Sequence, residues 1–343
     1  MRDFYQVTVA EVIRETGDAS SFVLDVPSPL AATFAYRPGQ FVTVRVPSDR
    51  TGSVARCYSL CSSPQAGDPP AITVKRTAGG YASNWLLDTV AAGTVLDLLP
   101  PAGTFCPPAL EGEFLLFAAG SGITPVISIL KSVLAAGRGR VALVYANRDE
   151  RSVIFSAELR RLTGAADGRL VVLHWLDSLS GTPAAAGLAA LARPYAAWQP
   201  YVCGPDPYLA VVRAALGHLG VPAKRVRAER FLSLADNPFA AAPVDEARAA
   251  GGGRASTLSV ELDGTTRALP WQPGTRMLDV LIAAGLAAPY SCRQGICGAC
   301  ACRLVAGEVE MAHNEVLEAA DLADGYILAC QAVPLTPEVR VTY

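Results

Sequence analysis

Four cysteines constrain this chain more tightly than any other feature. In SCRQGICGACACRL, Cys292, Cys297 and Cys300 follow a C-x4-C-x2-C spacing, and Cys330 lies further on in ILACQ. Three thiolates from one short loop, with a remote fourth, are the ligand pattern of one class of [2Fe–2S] site. Two irons and two bridging sulfides need four thiolates that converge. Gly295 and Gly298 let the loop backbone run close to the sulfides, where N–H groups can stabilise negative charge. Zinc sites favour paired knuckles, and the x4 arm is offset from that pattern, so the spacing points to the cluster. Cys302, two residues past Cys300, alternates onto a different environment if the chain leaves the loop as a strand, and reads as a packed thiol. A chain with such a site carries single electrons.

The nine cysteines are odd in number, clustered, and accompanied by no export signal, which favours metal ligation over a disulfide framework. With 51% hydrophobic and 17% charged residues the chain is globular rather than disordered. Its net charge of -2, with no local cluster of Lys and Arg, makes nucleic acid a poor partner. The opening MRDFYQVTVAEVIRE lacks a signal-peptide layout, and no run of about 18 apolar residues could span a bilayer, so no membrane partner and a cytoplasmic location are expected. Three domains fit the length of 343 residues. Residues 1–108 hold short alternating runs (YQVTVAEVI, SFVLDVP, QFVTVRV, AITVKR) broken by Pro, Gly and Ser, the pattern of an antiparallel β-barrel. Over 109–234, EFLLFAAG, RVALVYAN, LVVLHWL and PYVCG read as strands, alternating with helices in TPVISILKSVLAAG, 155–163, GLAALA and PYLAVVRAALGHLG, which gives a parallel α/β sheet. The aperiodic ADNPFAAAPVDEARAAGGGRAS, 235–256, reads as a linker, and 257–343 as an α+β cluster domain that opens with the strand STLSVELDG.

Further motifs lie in order along the first two domains. RCYSLCSSP at 56–64 sits between strand-like runs, and GGYASNWL, which offers a phosphate-binding turn, follows. AAGSGITP at 118–125 ends a strand and opens a helix, with Pro125 suited to the first helical position; its glycines permit close backbone approach and the helix N-terminus favours a diphosphate. YVCGPDPY and ERF come next. RCYS resembles the Arg-x-Tyr-Ser signature of the ferredoxin-NADP reductase superfamily, and GGYAS its flavin-phosphate segment. GSGITP and CGP resemble its nicotinamide segments. The resemblance implies that Arg56 supports the flavin diphosphate, Tyr58 packs on the isoalloxazine and Ser59 hydrogen-bonds near N5, while Gly80, Ala82, Ser83 and Asn84 serve the phosphate. Residue chemistry agrees: a guanidinium fork suits phosphate and a rigid ring suits a flat heterocycle. By the same resemblance Gly120, Gly122, Thr124, Pro125, Cys203, Gly204 and Pro205 receive NAD(P)H, with Cys203 beside the nicotinamide. Lys75, Asn147 and Arg148 join the cofactor-binding set, and Glu229 and Phe231 fall near the flavin. Ser59, Cys203 and Glu229 are the expected catalytic residues. Cys57 and Cys61 have no such role and read as structural, as do His174, His218 and His313, which share no ligand spacing.

The order of flavin, nicotinamide and ferredoxin domains resembles the reductase components of bacterial multicomponent oxygenases. Among them RCYSL, GSGITPVISILKS, VYANRDERSVIF, HWLDS, YVCGPDPY and ILACQAVP are most similar to reductases of 3-ketosteroid 9α-hydroxylases. The resemblance implies transfer from NADH through FAD and a [2Fe–2S] cluster to a terminal oxygenase of Rieske type, with a phenylacetyl-CoA epoxidase or other aromatic-ring oxygenase as the alternative. FMN is the alternative flavin, as in phthalate dioxygenase reductase. NADPH is the alternative nucleotide, because Arg148 and Arg151 favour a 2′-phosphate while Asp149 and Glu150 oppose it. A redox-sensing iron–sulfur module would not need both the flavin and nicotinamide segments, and a stand-alone flavin reductase would not need the cluster domain.

Overall fold

A computed structural model describes residues 4–231, 234, 237–239, 255–262, 264–317 and 319–343. The chain forms two compact units, Met1–Ser233 and Leu234–Tyr343. The linker expected over 235–256 lies outside the described residues except at 237–239 and 255–256.

The first unit opens with strands β1 (Tyr5–Arg14), β2 (Ala19–Asp25), β3 (Phe41–Ser48), β4 (Gly52–Ser59), β5 (Ala71–Lys75) and β6 (Val95–Leu98), with helix α1 (Tyr81–Thr89) before β6. They pair antiparallel in the order β4-β3-β6-β1-β2-β5. A bridge between Leu60 and Ile72, and a hydrogen bond from Cys61 N to Ala71 O at 2.8 Å, join the two outer strands and close the barrel. Alternation turns Val7, Val9, Val42, Val44 and Val46 into a core that Leu86 of α1 completes. Two segments differ from their sequence reading. RCYS lies within β4 rather than between strands, and GGYASNWL is not a turn alone: Tyr81–Leu86 begin α1, capped at Gly80.

The same unit continues with β7 (Glu113–Ala119), α2 (Ile123–Ala136), β8 (Arg140–Asn147), α3 (Ser156–Ala165), β9 (Leu170–Leu176), α4 (Asp177–Ser180), α5 (Ala185–Ala192), β10 (Gln199–Cys203), α6 (Asp206–His218) and β11 (Arg227–Glu229). All five strands run parallel in the order β11-β10-β7-β8-β9. After Glu113 the strand FLLFAA is apolar because β7 is buried on both faces: Phe114 and Leu116 enter one core, Leu115 and Phe117 the other. From β7 the chain winds outward to β9 and then returns to β10 on the opposite side. The carboxyl ends of β7 and β10 thus flank the topological switch point, where open parallel sheets bind ligands. Pro125 is the third residue of α2, which begins at Ile123, not the first.

Helix α2 also touches the barrel. Ser128 and Ser132 are fully buried and four residues apart, hence on one face. Ser128 Oγ donates to Ser62 O at 2.7 Å, and Ser132 Oγ lies 2.8 Å from Ser63 Oγ. Between them Lys131 Nζ sits 2.6 Å from Asp68 Oδ2 and 3.1 Å from Glu158 Oε1.

The second unit comprises β12 (Ser256–Leu262), β13 (Thr265–Trp271), α7 (Met277–Ala283), β14 (Ala301–Ala306), β15 (Val309–Met311), α8 (Ala319–Ala323), β16 (Tyr326–Leu328), β17 (Ala332–Pro334) and β18 (Glu338–Thr342). Its main sheet has the order β13-β12-β18-β14-β16, with β12 and β18 parallel, and β15 pairs with β17. The fully buried Trp271, whose Nε1 donates to Thr275 O at 2.8 Å, anchors the turn into α7. Met277, Leu278 and Leu281 of α7 pack on the sheet, giving an α+β, β-grasp-like domain.

Replacing Lys131 by Met leaves Asp68 and Glu158 facing each other without their cation. The expected loss is about 3 kcal/mol, near the lower end for breaking a buried pair because both carboxylates keep some solvent. Calorimetry of the first unit's transition checks it, with Lys224→Met as the exposed-lysine control.

Candidate functional site

The flavin segment lies on an outer strand of the barrel. In β4, pleating puts Arg56 and Tyr58 on one face and Cys57 and Ser59 on the other, so the signature does not form a single row. Tyr58 packs against the barrel core, and burial pushes its phenol up, opposed by Arg56. Ser59, the last residue of the strand, is buried. At the start of α1, Ala82 and Ser83 are buried, and a Cβ on Gly80 would stand 2.9 Å from Thr77 Cβ. Ser83 Oγ already accepts from Thr77 N at 3.2 Å, and Asn84 Oδ1 from Arg76 Nη1 at 3.2 Å. Those side chains brace the turn, and the first N–H groups of α1 remain to face an anion. Of the bystander thiols, Cys61 is buried and bonded to Thr73 Oγ1 at 3.2 Å, and burial pushes it up to about 12.

At the switch point two loops meet. Gly120, with φ +52°, and Gly122 form a short turn ahead of α2. A Cβ on Gly122 would come within 2.2 Å of Cys203 O, so only glycine lets this turn lie against Cys203-Gly204. Thr124 Oγ1 donates to Ser121 O at 3.0 Å, Pro125 is buried in the first turn of α2, and Pro205 caps α6. Cys203 is fully buried, paired with Ala118 on one side and Glu229 on the other. Burial, and then the Glu229 carboxyl, push its thiol well up, so it stays neutral. Glu229 as a residue is half-buried, yet its Oε2 is closed to solvent and has no hydrogen-bond partner among the described residues. Burial raises its carboxyl to about 8. Phe231 follows with 49% of its surface exposed.

Lys75 approaches this crevice from the barrel: a Cβ on Gly120 would lie 3.6 Å from its Nζ. Asp18 accepts from Arg148 Nη2 at 3.3 Å and lies 3.9 Å from Lys75 Nζ. Asn147, buried at the end of β8, has no well-formed side-chain hydrogen bond among the described residues, although its amide neighbours the Tyr145 hydroxyl. One residue that motif reading passed over belongs here. Asp177, next to the carboxyl end of β9, has an Oδ1 closed to solvent and unpaired among the described residues. Its signal was an acid ending the apolar strand LVVLHWL at the edge where such sheets bind ligands.

In the second unit the loop between α7 and β14 brings Cys292, Cys297 and Cys300 beside Cys330, which follows β16. The Sγ of Cys292 neighbours those of Cys297 and Cys330, and the Sγ of Cys300 neighbours that of Cys330. Backbone N–H groups turn on the sulfurs: Gln294 N to Cys292 Sγ at 3.3 Å, Ala299 N to Cys297 Sγ at 3.5 Å and Cys330 N to Cys300 Sγ at 3.4 Å. Gly295, with φ +78°, has His313 O 2.5 Å from where a Cβ would lie, and Arg293 adopts φ 58°. Hydrogen bonds from its neighbours pull the Cys292 thiol far down, toward the thiolate that a cluster ligand needs. Among the described residues no group of His, Cys, Asp and Glu is set to hold a lone metal ion. The fit to a binuclear cluster rests on the four-thiol donor set and the N–H groups around it. Cys302, in β14, is buried in the core and pushed up to about 12 by burial.

The chain matches the oxidoreductase FAD-binding domain family over residues 6–106, the oxidoreductase NAD-binding domain over 116–214 and the 2Fe-2S iron-sulfur cluster binding domain over 260–335. It is 52% identical over 337 residues to a Rhodococcus rhodochrous protein named "3-ketosteroid-9-alpha-monooxygenase, ferredoxin reductase component", spanning 98% of this chain and 96% of that one. It is 33% identical over 359 residues to a component of the 1,2-phenylacetyl-CoA epoxidase of Escherichia coli, spanning 100% of this chain and 98% of that one. The solved structure of phthalate dioxygenase reductase, described as modular for electron transfer from pyridine nucleotides to [2Fe–2S], superposes with a TM-score of 0.57 at 26% identity, covering 99% of this chain and 98% of that one. Fold and domains together define an electron-transfer oxidoreductase with FAD-binding, NAD-binding and 2Fe-2S domains. The chain belongs to the family of oxygenase reductases that includes the ferredoxin reductase component of 3-ketosteroid-9-alpha-monooxygenase.

Two outcomes follow from this geometry. Glu229 has its folded pKa raised from 4.5 to about 8, so its contribution to stability is full below about pH 4.5 and is lost as pH rises through about 8. Glu229→Gln is expected to remove that decline, leaving a flatter profile of melting midpoint against pH for the first unit. Because the cluster domain is a separate compact unit, Cys297→Ser is expected to abolish the cluster's visible absorbance while NADH still bleaches the flavin at the parental rate. Stopped-flow absorbance resolves the two signals.

Proposed function

We propose that this chain is the reductase component of a 3-ketosteroid 9α-hydroxylase, supplying electrons to a Rieske-type terminal oxygenase that acts on a steroid ring. The observation that carries this reading is 52% identity over 98% of the chain to a reductase of that name, against 33% to the phenylacetyl-CoA epoxidase component. We assign residues 1–108 to the flavin domain, 109–234 to the nicotinamide domain and 257–343 to the cluster domain.

When bound, NADH supplies a hydride, FAD accepts the pair of electrons and releases them singly, and the [2Fe–2S] cluster carries one at a time. The chain's own part is alignment rather than acid–base chemistry. Arg56 and the N–H groups from Gly80 to Asn84 hold the flavin diphosphate, Tyr58 covers the ring, and Ser59 offers a hydroxyl near N5. The turn from Gly120 to Pro125 takes the dinucleotide diphosphate with Lys75. Cys203, Gly204 and Pro205 shape the nicotinamide pocket, where a neutral Cys203 adds bulk without charge. Glu229 and Phe231 close the flavin side. Cys292, Cys297, Cys300 and Cys330 ligate the cluster.

NADH is favoured over NADPH. Arg148 is engaged by Asp18, Asp149 Oδ1 accepts from Ser152 N at 2.9 Å, and Asp177 Oδ1, without a partner among the described residues, suits a ribose hydroxyl and disfavours a 2′-phosphate. A cytoplasmic location is supported by nine cysteines that form no disulfide among the described residues.

The test is reconstitution with the terminal oxygenase of a ketosteroid 9α-hydroxylase, measuring 9α-hydroxylated product. Product formation driven by NADH, and at least tenfold less efficiently by NADPH, is expected. Coupling to a phenylacetyl-CoA-type diiron oxygenase with none to the steroid enzyme would remove the steroid assignment and leave electron transfer standing.

A further inference from the structure

One buried polar side chain of the second unit is not accounted for by ligation. Gln331 follows Cys330 directly and is 2% exposed. Its Nε2 lies 2.9 Å from Arg293 O and 3.4 Å from Cys330 Sγ. An amide nitrogen has two hydrogens, and both partners here are acceptors. The opposite orientation would turn the amide oxygen on a carbonyl and a thiolate, so the network fixes the amide as donor to both. The stem is held as well: a Cβ on Gly295 would stand 3.0 Å from Gln331 Cγ, and Ala312 N donates to Gln331 O at 3.2 Å.

Arg293 O belongs to the strained left-handed residue of the loop. The same oxygen accepts from Arg276 Nη1 at 3.3 Å, and the Arg293 side chain pairs with Asp279 of α7 and lies over the Tyr290 ring. Gln331 therefore connects the loop that bears three of the thiols to the one thiol outside it.

We propose that Gln331 is a positioning residue of the iron–sulfur site, whose side-chain amide ties the loop at Arg293 to Cys330 and holds the cluster's reduction potential above the value it would have without that bond. This rests on the assignment of the four cysteines as ligands. Reduction adds negative charge to the cluster and its sulfurs, and an N–H donor aimed at a ligand sulfur stabilises the more negative state, which raises the potential. Removing the donor lowers it.

The experiment uses the full chain with its flavin and cluster. Gln331→Met keeps an unbranched side chain of similar length and deletes both hydrogens. The expected result is unchanged iron and sulfide content, an unchanged rate of flavin reduction by NADH, a midpoint potential displaced to lower values in a redox titration, and altered g-values of the reduced cluster. A midpoint potential equal to the parent's in a variant that retains its cluster overturns the proposal. Should Gln331→Met fail to hold the cluster, Gln331→Glu, which replaces donor by acceptor at constant length, is expected to lower the potential, and a parental value there is equally fatal. In the unaltered protein, pulsed EPR with 15N on glutamine side chains is expected to show nitrogen coupling to the reduced cluster; no coupling overturns the proposal without any variant. A purified parent protein that shows no [2Fe–2S] signal on reduction would instead remove the ligand assignment, and Gln331's role with it.

Discussion

The polar seam along helix α2 is the contact on which the rest of the first unit depends. An apolar helix would slide on a barrel as readily as it would dock, because hydrophobic contact has no direction. Two buried hydroxyls and one ammonium change that. Ser128, Lys131 and Ser132 bond to the segment from Cys61 to Asp68, which leaves β4 directly after Ser59. The amino end of the same helix carries the Gly120 to Gly122 turn. One rigid element therefore sets the distance between the flavin strand and the nucleotide crevice. Hydride transfer needs reacting atoms in near contact and tolerates little misplacement, whereas a single electron can cross a gap. The chain places the two hydride partners within one compact unit and puts the single-electron carrier in another.

Much of this was legible from the residues. The cysteine spacing marked the loop in the second unit, and the alternation of EFLLFAAG, RVALVYAN and LVVLHWL with helical runs gave the parallel sheet, because such signals are local. What escaped reading depends on contacts distant in sequence. TPVISILKSVLAAG is a good helix, but nothing within it says that Ser128 and Ser132 face a barrel 66 and 69 residues away. GGYASNWL looked like a turn because two glycines open it, yet Leu86 found a place in the barrel core and tertiary packing drew the segment into α1. RCYS was hidden as a strand by its polar residues, since β4 lies at the margin of the sheet and only part of it is buried.

The sites differ in the same way. Motifs singled out Cys203, Gly122 and Glu229 as candidates, but not Asp177 or Gln331, because a single acid or amide has no spacing to recognise. Each becomes visible only as a buried polar group whose bonds must be accounted for. Asp177 has an oxygen with no partner among the described residues, and Gln331 has two acceptors for one nitrogen.

The junction of Gly122 with Cys203 also bears on how such a chain can diverge. A methyl group at Gly122 would occupy the space of the Cys203 carbonyl, so this corner admits no variation that preserves the backbone. The ends of β8 and β9 carry no such limit: Arg148 is largely exposed and its contacts are surface ones. Under the proposed nucleotide site, a lineage changing its preference would find its freedom at the ends of β8 and β9, and drift there would leave the Gly122–Cys203 corner untouched.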